Sequence, residues 1–311
     1  MKIVGLNCGS PGGNSELLLK AALMSAEAAG HEAQLIRVTT LAFPAGRPGT
    51  LPPGTPDDRP WLTDALLESD ALIIAAPVTA RSPAVALKLM VDRALGPRVD
   101  VAAVLRMKAG KQGEDPRYNT TVIDDRLLKP RVAGLISVGG ATSLDWVTFG
   151  LPLMHTATFP MHIAVIDQVQ FMGAALPGTI LFDHDAMERA AAIGRHVAAE
   201  VGKSFADATY HGEPGVCPVC HCDLIVPHMN HAECATCAAR GELVYTDGRP
   251  RLIVSDEGRS HSILTLAAKH HHQDEIDAVS AVGLPRLPEV PALRAPFDDY
   301  DRLITPQGNQ A

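Results

Sequence analysis

The feature that most constrains the fold is an alternation, over residues 1–206, of short β-branched runs with longer stretches rich in alanine and leucine. Such an alternation is typical of βαβ units, in which helices join parallel strands. Residues 71–76 are apolar throughout, as expected of a parallel strand that is buried on both faces. We therefore predict an α/β domain with a doubly wound parallel sheet over residues 1–206. Its strands are predicted at residues 2–6, 31–38, 71–76, 132–138 and 162–169, and its helices at residues 15–29, 61–68, 83–95, 146–156 and 185–203.

The character of the sequence changes after residue 206. Five of the six cysteines lie between residues 217 and 237, in a segment that we place at residues 212–246. Residues 247–311 are rich in proline towards their end, so we expect an extended tail that wraps the body, crosses to a partner subunit or is disordered. Residues 96–129 are polar in the middle and long for a connection, which suggests a lid or a dimer arm.

Charge and composition exclude several classes of protein. The formal net charge is -8, so the chain repels nucleic acids, and aromatic residues make up only 4%, too few for a platform that stacks single-stranded bases. The apolar stretches are too short or too interrupted to span a bilayer, and residues 3–6 are too short for the core of a signal peptide. We expect a cytoplasmic enzyme that binds neither nucleic acid nor membrane.

A loop rich in glycine and serine joins the first predicted strand to the first helix. A helix N-terminus offers unpaired amide donors and a partial positive charge, which suit an anion. Gly13 lets the backbone close around such an anion, and Ser10, Asn14 and Ser15 can add donors. No lysine follows the glycines, which excludes a nucleoside-triphosphate loop, and the absence of GxGxxG argues against a dinucleotide site. The alternative is a glycine-rich turn that binds no ligand.

Two further loops follow the third and fourth predicted strands, at residues 76–83 and 138–142. In a doubly wound sheet, ligands bind outside the carboxyl ends of the strands. Three loops of small residues at one edge can hold a phosphate and present backbone amides to a flat polar ring. Arg81 adds a cation to the second loop, where it stabilises a reduced ring, or attracts a nucleotide phosphate, or is simply exposed.

Two CxxC pairs, separated by thirteen residues, form the most specific motif of the chain. Their cysteines are Cys217, Cys220, Cys234 and Cys237. Two facing pairs place four thiolates at tetrahedral spacing, which is typical of a structural zinc ribbon. We expect zinc, with a rubredoxin-like iron site as the less favoured alternative, because Cys-Pro-x-Cys can also hold iron. Cys222 is left over, and the acidic charge of the module argues against nucleic-acid binding.

Residues 1–205 resemble the flavodoxin-like family of NAD(P)H-dependent FMN reductases and iron–sulfur flavoproteins. The resemblance rests on residues 9–16, on Asp57 and Asp58, on residues 69–78 and above all on residues 86–93, where the family has LK-x-[FL]-[IM]-D-R. The loop after the first strand lacks the family's Arg or Lys after the proline. The cysteine cluster of the iron–sulfur members is also absent, since residues 39–59 contain no cysteine.

The resemblance implies a five-stranded parallel sheet of order 2-1-3-4-5 that binds FMN non-covalently. By position, Ser10, Gly13, Asn14 and Ser15 would hold the phosphate. The isoalloxazine ring would lie between two sets of residues, Pro77, Val78, Thr79, Ala80 and Arg81 on one side and Gly139, Gly140, Ala141 and Thr142 on the other.

The expected function is therefore that of an FMN-dependent NAD(P)H oxidoreductase which reduces a quinone or another small aromatic acceptor. The alternatives are a flavin reductase that supplies reduced FMN to a monooxygenase, and a redox-sensing or electron-carrier flavoprotein without enzymatic activity. No catalytic residue is predicted, because the cofactor carries the chemistry. Family members are generally dimers or tetramers, so we expect a homodimer or homotetramer.

Overall fold

The computed structural model describes residues 1–46, 50–95, 99–114, 122–298 and 300. The chain divides into two units, residues 1–268 and residues 269–311. The larger unit contains both β-sheets. The smaller unit contains most of helix α8 (Leu266–Gly283) and helix α9 (Val290–Asp298).

Five parallel strands form the first sheet, in the order β2-β1-β3-β5-β6. They are β1 (Lys2–Asn7), β2 (Glu32–Arg37), β3 (Ala71–Thr79), β5 (Val132–Val138) and β6 (Ala164–Phe171). The two-residue strand β4 (Ser82–Pro83) pairs antiparallel with the end of β3. Among the parallel strands alone this is the order 2-1-3-4-5, so the predicted fold class is confirmed.

Helices cover both faces of this sheet. Consecutive residues of a strand point to opposite faces, and accordingly Ile73 and Ile74 of β3 belong to two different apolar cores. The core around Ile73 is covered by α1 (Asn14–Ala28) and α6 (His184–Glu200), and the core around Ile74 by α2 (Arg59–Glu68), α3 (Val85–Ala94) and α5 (Gly150–Met154). Helices α1 and α6 approach so closely that a Cβ atom on Gly194 would collide with the carbonyl oxygen of Ala22.

Two connecting segments differ from the prediction. Residues 146–156 are not one helix, because 3₁₀ turns at Leu144–Trp146 and His155–Ala157 flank the short α5. Residues 96–129 include a helix that the sequence pattern did not indicate, α4 (Val101–Gln112), whose N-terminus is capped by the carboxylate of Asp100. The suggested lid or dimer arm falls partly on residues 96–98 and 115–121, which lie outside the described residues.

The cysteine-bearing segment forms the second sheet, which is antiparallel and has the strand order β10-β9-β8-β7. Its strands are β7 (Ile225–Pro227), β8 (Ala232–Cys234), β9 (Arg240–Thr246) and β10 (Arg249–Ile253), and helix α7 (Asp256–Ser260) follows them. Gln168 of β6 joins the first sheet to the turn that precedes β7, because its amide nitrogen donates to the carbonyl oxygens of Cys220 and His221 at 3.0 and 2.9 Å.

The described part of residues 247–311 is not the extended tail that the prolines indicated. It consists mainly of β10, helices α7, α8 and α9, and a 3₁₀ helix at Leu284–Glu289 between α8 and α9, with Pro288 and Pro296 inside helical segments. Pro285 and Pro291 lie in first helical turns, where the missing amide costs no hydrogen bond. Among the helices that the structure describes, none is long and apolar enough to cross a membrane.

Candidate functional site

The carboxyl ends of β1, β3 and β5 meet at one edge of the sheet, and a loop of small residues follows each. The register pairs Asn7 with Ala75, and Pro77 with Val138, so the three loops start side by side. A Cβ atom on Gly9 in the first loop would lie 3.1 Å from the ring of Pro77 in the second. A side chain at position 9 would not fit there, so this close contact requires glycine. The loops that were predicted to bind one ligand therefore lie next to one another.

The first loop is a turn that ends at the N-terminus of α1. The amide of Gly13 donates to the carbonyl oxygen of Ser10 at 3.1 Å, and Gly12 has a φ of +73°, which favours glycine. Ser15 is buried and donates to Asn7 Oδ1 at 3.2 Å, whereas Ser10 is exposed. Because the first amides of a helix have no partner within it, the loop presents donors that an anion can accept.

The side chain of Asn14 is engaged within the protein. Its Nδ2 donates to the carbonyl oxygens of Ala174 and Leu176 at 3.0 and 2.8 Å, and its Oδ1 accepts from the amide of Ile180 at 3.3 Å. Asn14 therefore ties the first loop to the loop after β6. That leaves its backbone amide as the group that can face an anion. The loop after β6 was not predicted to be part of the site, because no local sequence motif indicates it.

A buried carboxylate lies in the first turn of α1, where an anion would bind. Glu16 accepts hydrogen bonds from Arg37 at 2.8 and 2.9 Å and from Asn7 at 3.0 Å, and it forms an ion pair with Lys20 at 2.7 Å. The bonds from Arg37 hold the pKa of Glu16 at about 2, against the opposing effect of burial. Arg37 was not predicted to belong to the site, although its position at the carboxyl end of the strand beside β1 is a signal that could have identified it.

The second loop, predicted at residues 76–83, is only partly a loop, because β3 continues through Pro77, Val78 and Thr79 and a tight hairpin turn at Ala80 and Arg81 leads to β4. Ala80 and Arg81 at its tip have φ values of +50° and +72°, a strained conformation for residues with a side chain. Arg81 Nε donates to the carbonyl oxygen of Asp145 at 2.9 Å, and its guanidinium lies 4.8 Å from the ring centre of Phe149. Arg81 therefore holds the hairpin against residues 144–149 while it remains exposed.

The third loop contains Gly139, Gly140, Ala141 and Thr142. A Cβ atom on Gly139 would collide with Val147, and one on Gly140 would lie 3.1 Å from the Cα of Ala175. The amide of Ala174 donates to the carbonyl oxygen of Gly139 at 3.1 Å. The third loop therefore packs against the same loop after β6 that Asn14 holds.

The four paired cysteines lie together in the cysteine module, Cys234 at the end of β8 and the other three in turns. All four are buried, their sulfur atoms lie within 4.8 Å of one another, and the Cys217–Cys237 and Cys220–Cys234 sulfur distances are 3.7 and 3.5 Å. A tetrahedral site with metal–sulfur bonds of about 2.3 Å has sulfur atoms about 3.8 Å apart, so the geometry fits a metal ion. Cys222 lies outside this group of four.

Two other cysteine and histidine features are separate from these sites. Burial raises the pKa of the Cys8 thiol to about 12, which makes Cys8 a packed side chain rather than a nucleophile. His228, His231 and Glu233 form a second, more exposed group that could hold a metal, but Arg240 already binds Glu233 at 2.8 Å.

Comparisons with known proteins agree with this architecture. The family model described as NADPH-dependent FMN reductase matches residues 1–175. A flavone synthase from Aspergillus candidus is 34% identical over 301 residues, which cover 91% of this chain and 91% of that protein. A solved structure of a flavone reductase superposes with a TM-score of 0.83 at 26% identity, and the match covers 98% of this chain and 100% of that one.

Proposed function

Because the chain belongs to the NADPH-dependent FMN reductase family, we propose that its electron acceptor is a small aromatic ketone of the flavone type. The chain is an FMN-dependent oxidoreductase. The choice of acceptor rests on how much of this chain the flavone synthase and the flavone reductase match. Both cover more than nine tenths of this chain, including the cysteine module that the family model does not reach, and both proteins are named for flavone.

The three loops supply what FMN needs. We assign the phosphate to the exposed hydroxyl of Ser10 and to the backbone amides at the start of α1, including those of Asn14 and Ser15. Asn14 and Ser15 shape the loop with their side chains. The isoalloxazine ring is assigned to the edge between two loops, which contain Pro77, Val78, Thr79, Ala80 and Arg81, and Gly139, Gly140, Ala141 and Thr142. When bound in this place, FMN would supply the chemistry of hydride transfer between NAD(P)H and the acceptor.

The charges beneath the phosphate loop also suit a phosphate. Glu16 alone would repel a dianion, but Arg37 and Lys20 together exceed its charge by one. Arg37 thus supplies from the neighbouring strand the cation that the loop itself lacks. The helix N-terminus adds its partial positive charge to the same place.

The cysteine module is assigned a structural zinc ion. Four buried thiolates satisfy zinc completely and leave no open position for catalysis. Iron in the same geometry is the alternative, and it would add an electron carrier to the flavin enzyme.

A homo-oligomer is proposed for the assembly. Large apolar side chains are exposed close to the second and third loops, including Leu144 and Trp146, which are 67% and 59% exposed. Such a patch is typical of a surface that is covered in the assembled protein.

The test of the proposed function is anaerobic turnover by the purified protein loaded with FMN. We expect a yellow protein that oxidises NADH or NADPH when flavone is added and converts flavone to a product reduced at the conjugated double bond. A panel of quinones and free FMN serves as the comparison. Faster turnover of quinones or free FMN than of flavone would assign the enzyme to those acceptors instead, and failure to bind FMN would overturn the proposal.

A further inference from the structure

A cavity of about 190 Å³ lies between the segment after the third loop and the cysteine module. Val147, Leu151 and Pro152 line one side, and His221 and Leu224 line the other. We call this cavity the aryl pocket. Its walls thus come from the segment after the third loop, from Gln170 of β6 and from the residues that precede β7, so the pocket depends on the cysteine module lying against the first domain.

The size and lining of the aryl pocket suit one aromatic ring. An apolar cavity of about 150 Å³ is large enough to bind benzene. The aryl pocket is somewhat larger, and most of its lining surface is apolar, although Thr148, Gln170 and Asp223 also line it. A single ring would fill it, whereas a fused two-ring system needs more room.

The segment that lines one side of the aryl pocket contacts residues of both loops that we assign to the isoalloxazine ring, through Val147 of the wall and through Gly150 beside it. Val147 packs against Gly139 of the third loop so closely that a Cβ atom there would collide with it. In the same segment, a Cβ atom on Gly150 would lie 3.0 Å from the side chain of Val78 in the second loop. The pocket is therefore next to the flavin site.

The opposite wall is fixed in place by polar and stacking contacts. Gln168 holds the carbonyl oxygens of Cys220 and His221, and the ring of His221 stacks on Tyr210 with 3.5 Å between ring centres. His221 and Leu224 directly follow the first cysteine pair, so a metal ion in the module would hold this wall as well.

We propose that the aryl pocket binds the pendant aromatic ring of the acceptor, while the reducible part of the acceptor lies over the flavin. This inference rests on the proposed function and adds a substrate class to it. The preferred acceptors are two-part molecules, with a single aryl ring attached to a conjugated ketone. The cysteine module thereby becomes a part of the substrate site.

Flavone and chromone are a matched pair of probes, because chromone lacks only the pendant phenyl ring. We expect protein loaded with FMN to bind flavone at least about tenfold more tightly than chromone, as measured by calorimetric titration without NAD(P)H. Burial of one aromatic ring is worth more than the roughly 1.4 kcal/mol that corresponds to a tenfold change in Kd. Equal affinity for the two probes in the unmodified protein would overturn the proposal.

Variants of Leu224 test whether the tighter binding of flavone arises in the aryl pocket. Leu224→Trp fills the pocket and should bring the ratio of the two dissociation constants close to one, and the milder Leu224→Ala should reduce it severalfold. Val226→Trp is the control, because Val226 lies two residues further along, in β7, is exposed and does not line the pocket. General damage to the fold weakens both probes alike and leaves the ratio unchanged. A ratio that stays unchanged in both Leu224 variants therefore contradicts the proposal.

The outcomes for the pocket and for the proposed function are distinguishable. If the enzyme reduces flavone and chromone with equal kcat/KM and binds them equally, the function stands and the pocket assignment fails. If the enzyme reduces neither probe but binds flavone more tightly than chromone, and the Leu224 variants lose this difference, the pocket is a ligand site and the proposed acceptor is wrong.

Discussion

Arg37, the last residue of β2, binds both carboxylate oxygens of Glu16 in the first turn of α1, through hydrogen bonds of 2.8 and 2.9 Å. The pair joins the second strand to the loop after the first. The Arg37–Glu16 pair also sets the net charge at the proposed phosphate site, because Glu16 is fully buried and ionised. A buried carboxylate that loses its guanidinium partner is costly, even though the hydrogen bond from Asn7 and the ion pair with Lys20 remain.

We predict that Arg37→Ala weakens FMN binding by about tenfold or more and lowers the free energy of unfolding by about 1–2 kcal/mol. Titration of the apoprotein with FMN, followed by quenching of flavin fluorescence, measures the first effect. Arg37→Ala combined with Glu16→Gln should regain most of the affinity, because Lys20 then gives the site the same net charge of plus one as in the unmodified protein. If the double variant binds no better than Arg37→Ala, charge balance is not the function of the pair.

The same pair predicts how stability depends on pH. The pKa of Glu16 is about 2 in the folded protein and close to 4.5 when unpaired, so the unfolded chain binds more protons between these values. The stabilisation is present above pH 4.5 and is lost as the pH falls towards 2, at up to about 1.4 kcal/mol per pH unit. Urea unfolding of the apoprotein across this range should show a shallower pH dependence for Glu16→Gln than for the unmodified protein. Identical slopes would contradict the assignment.

Much of the fold could be predicted because its signals are local. Uninterrupted apolar runs such as residues 71–76 indicate buried parallel strands, and CxxC spacing alone indicates that two cysteine pairs face each other. A glycine-rich turn that is followed directly by a helix likewise indicates the first loop. These patterns depend only on residues that are close in the sequence.

The parts that could not be predicted depend on residues far apart in the chain. Asn14 was expected to face the phosphate, but its side chain binds carbonyl groups that lie 160 and 162 residues away. Gln168 shows no sequence signal, yet it joins the first sheet to the turn that precedes β7. The prolines of the last segment indicated extended chain, whereas two of them begin helical turns. Such outcomes are decided by tertiary packing, which local propensity does not contain.

A pair of glycine substitutions tests the close packing of α1 and α6. We predict that Gly194→Ala destabilises the protein by about 1–3 kcal/mol, because the new Cβ atom would collide with the carbonyl oxygen of Ala22. Gly283→Ala is the matched control, since Gly283 also lies in a helix but has no atom within 4 Å of its would-be Cβ position. The control should be neutral or stabilising by up to about 1 kcal/mol. Thermal unfolding of both variants gives the comparison, and equal shifts would show that α1 and α6 can move apart without cost.

Metal removal tests the cysteine module and its connection to the flavin domain. We predict one zinc ion per chain by elemental analysis, its loss in Cys217→Ser, and its retention in Cys222→Ser, because Cys222 lies outside the group of four thiols. The metal-free variant should also melt at a lower temperature, since the four cysteines form the centre of the module's apolar core. Its FMN affinity should change little, because the three loops belong to the first sheet. Iron at one ion per chain would contradict the structural assignment and indicate a role in electron transfer, and loss of metal in Cys222→Ser would show that the ligand set is wrong.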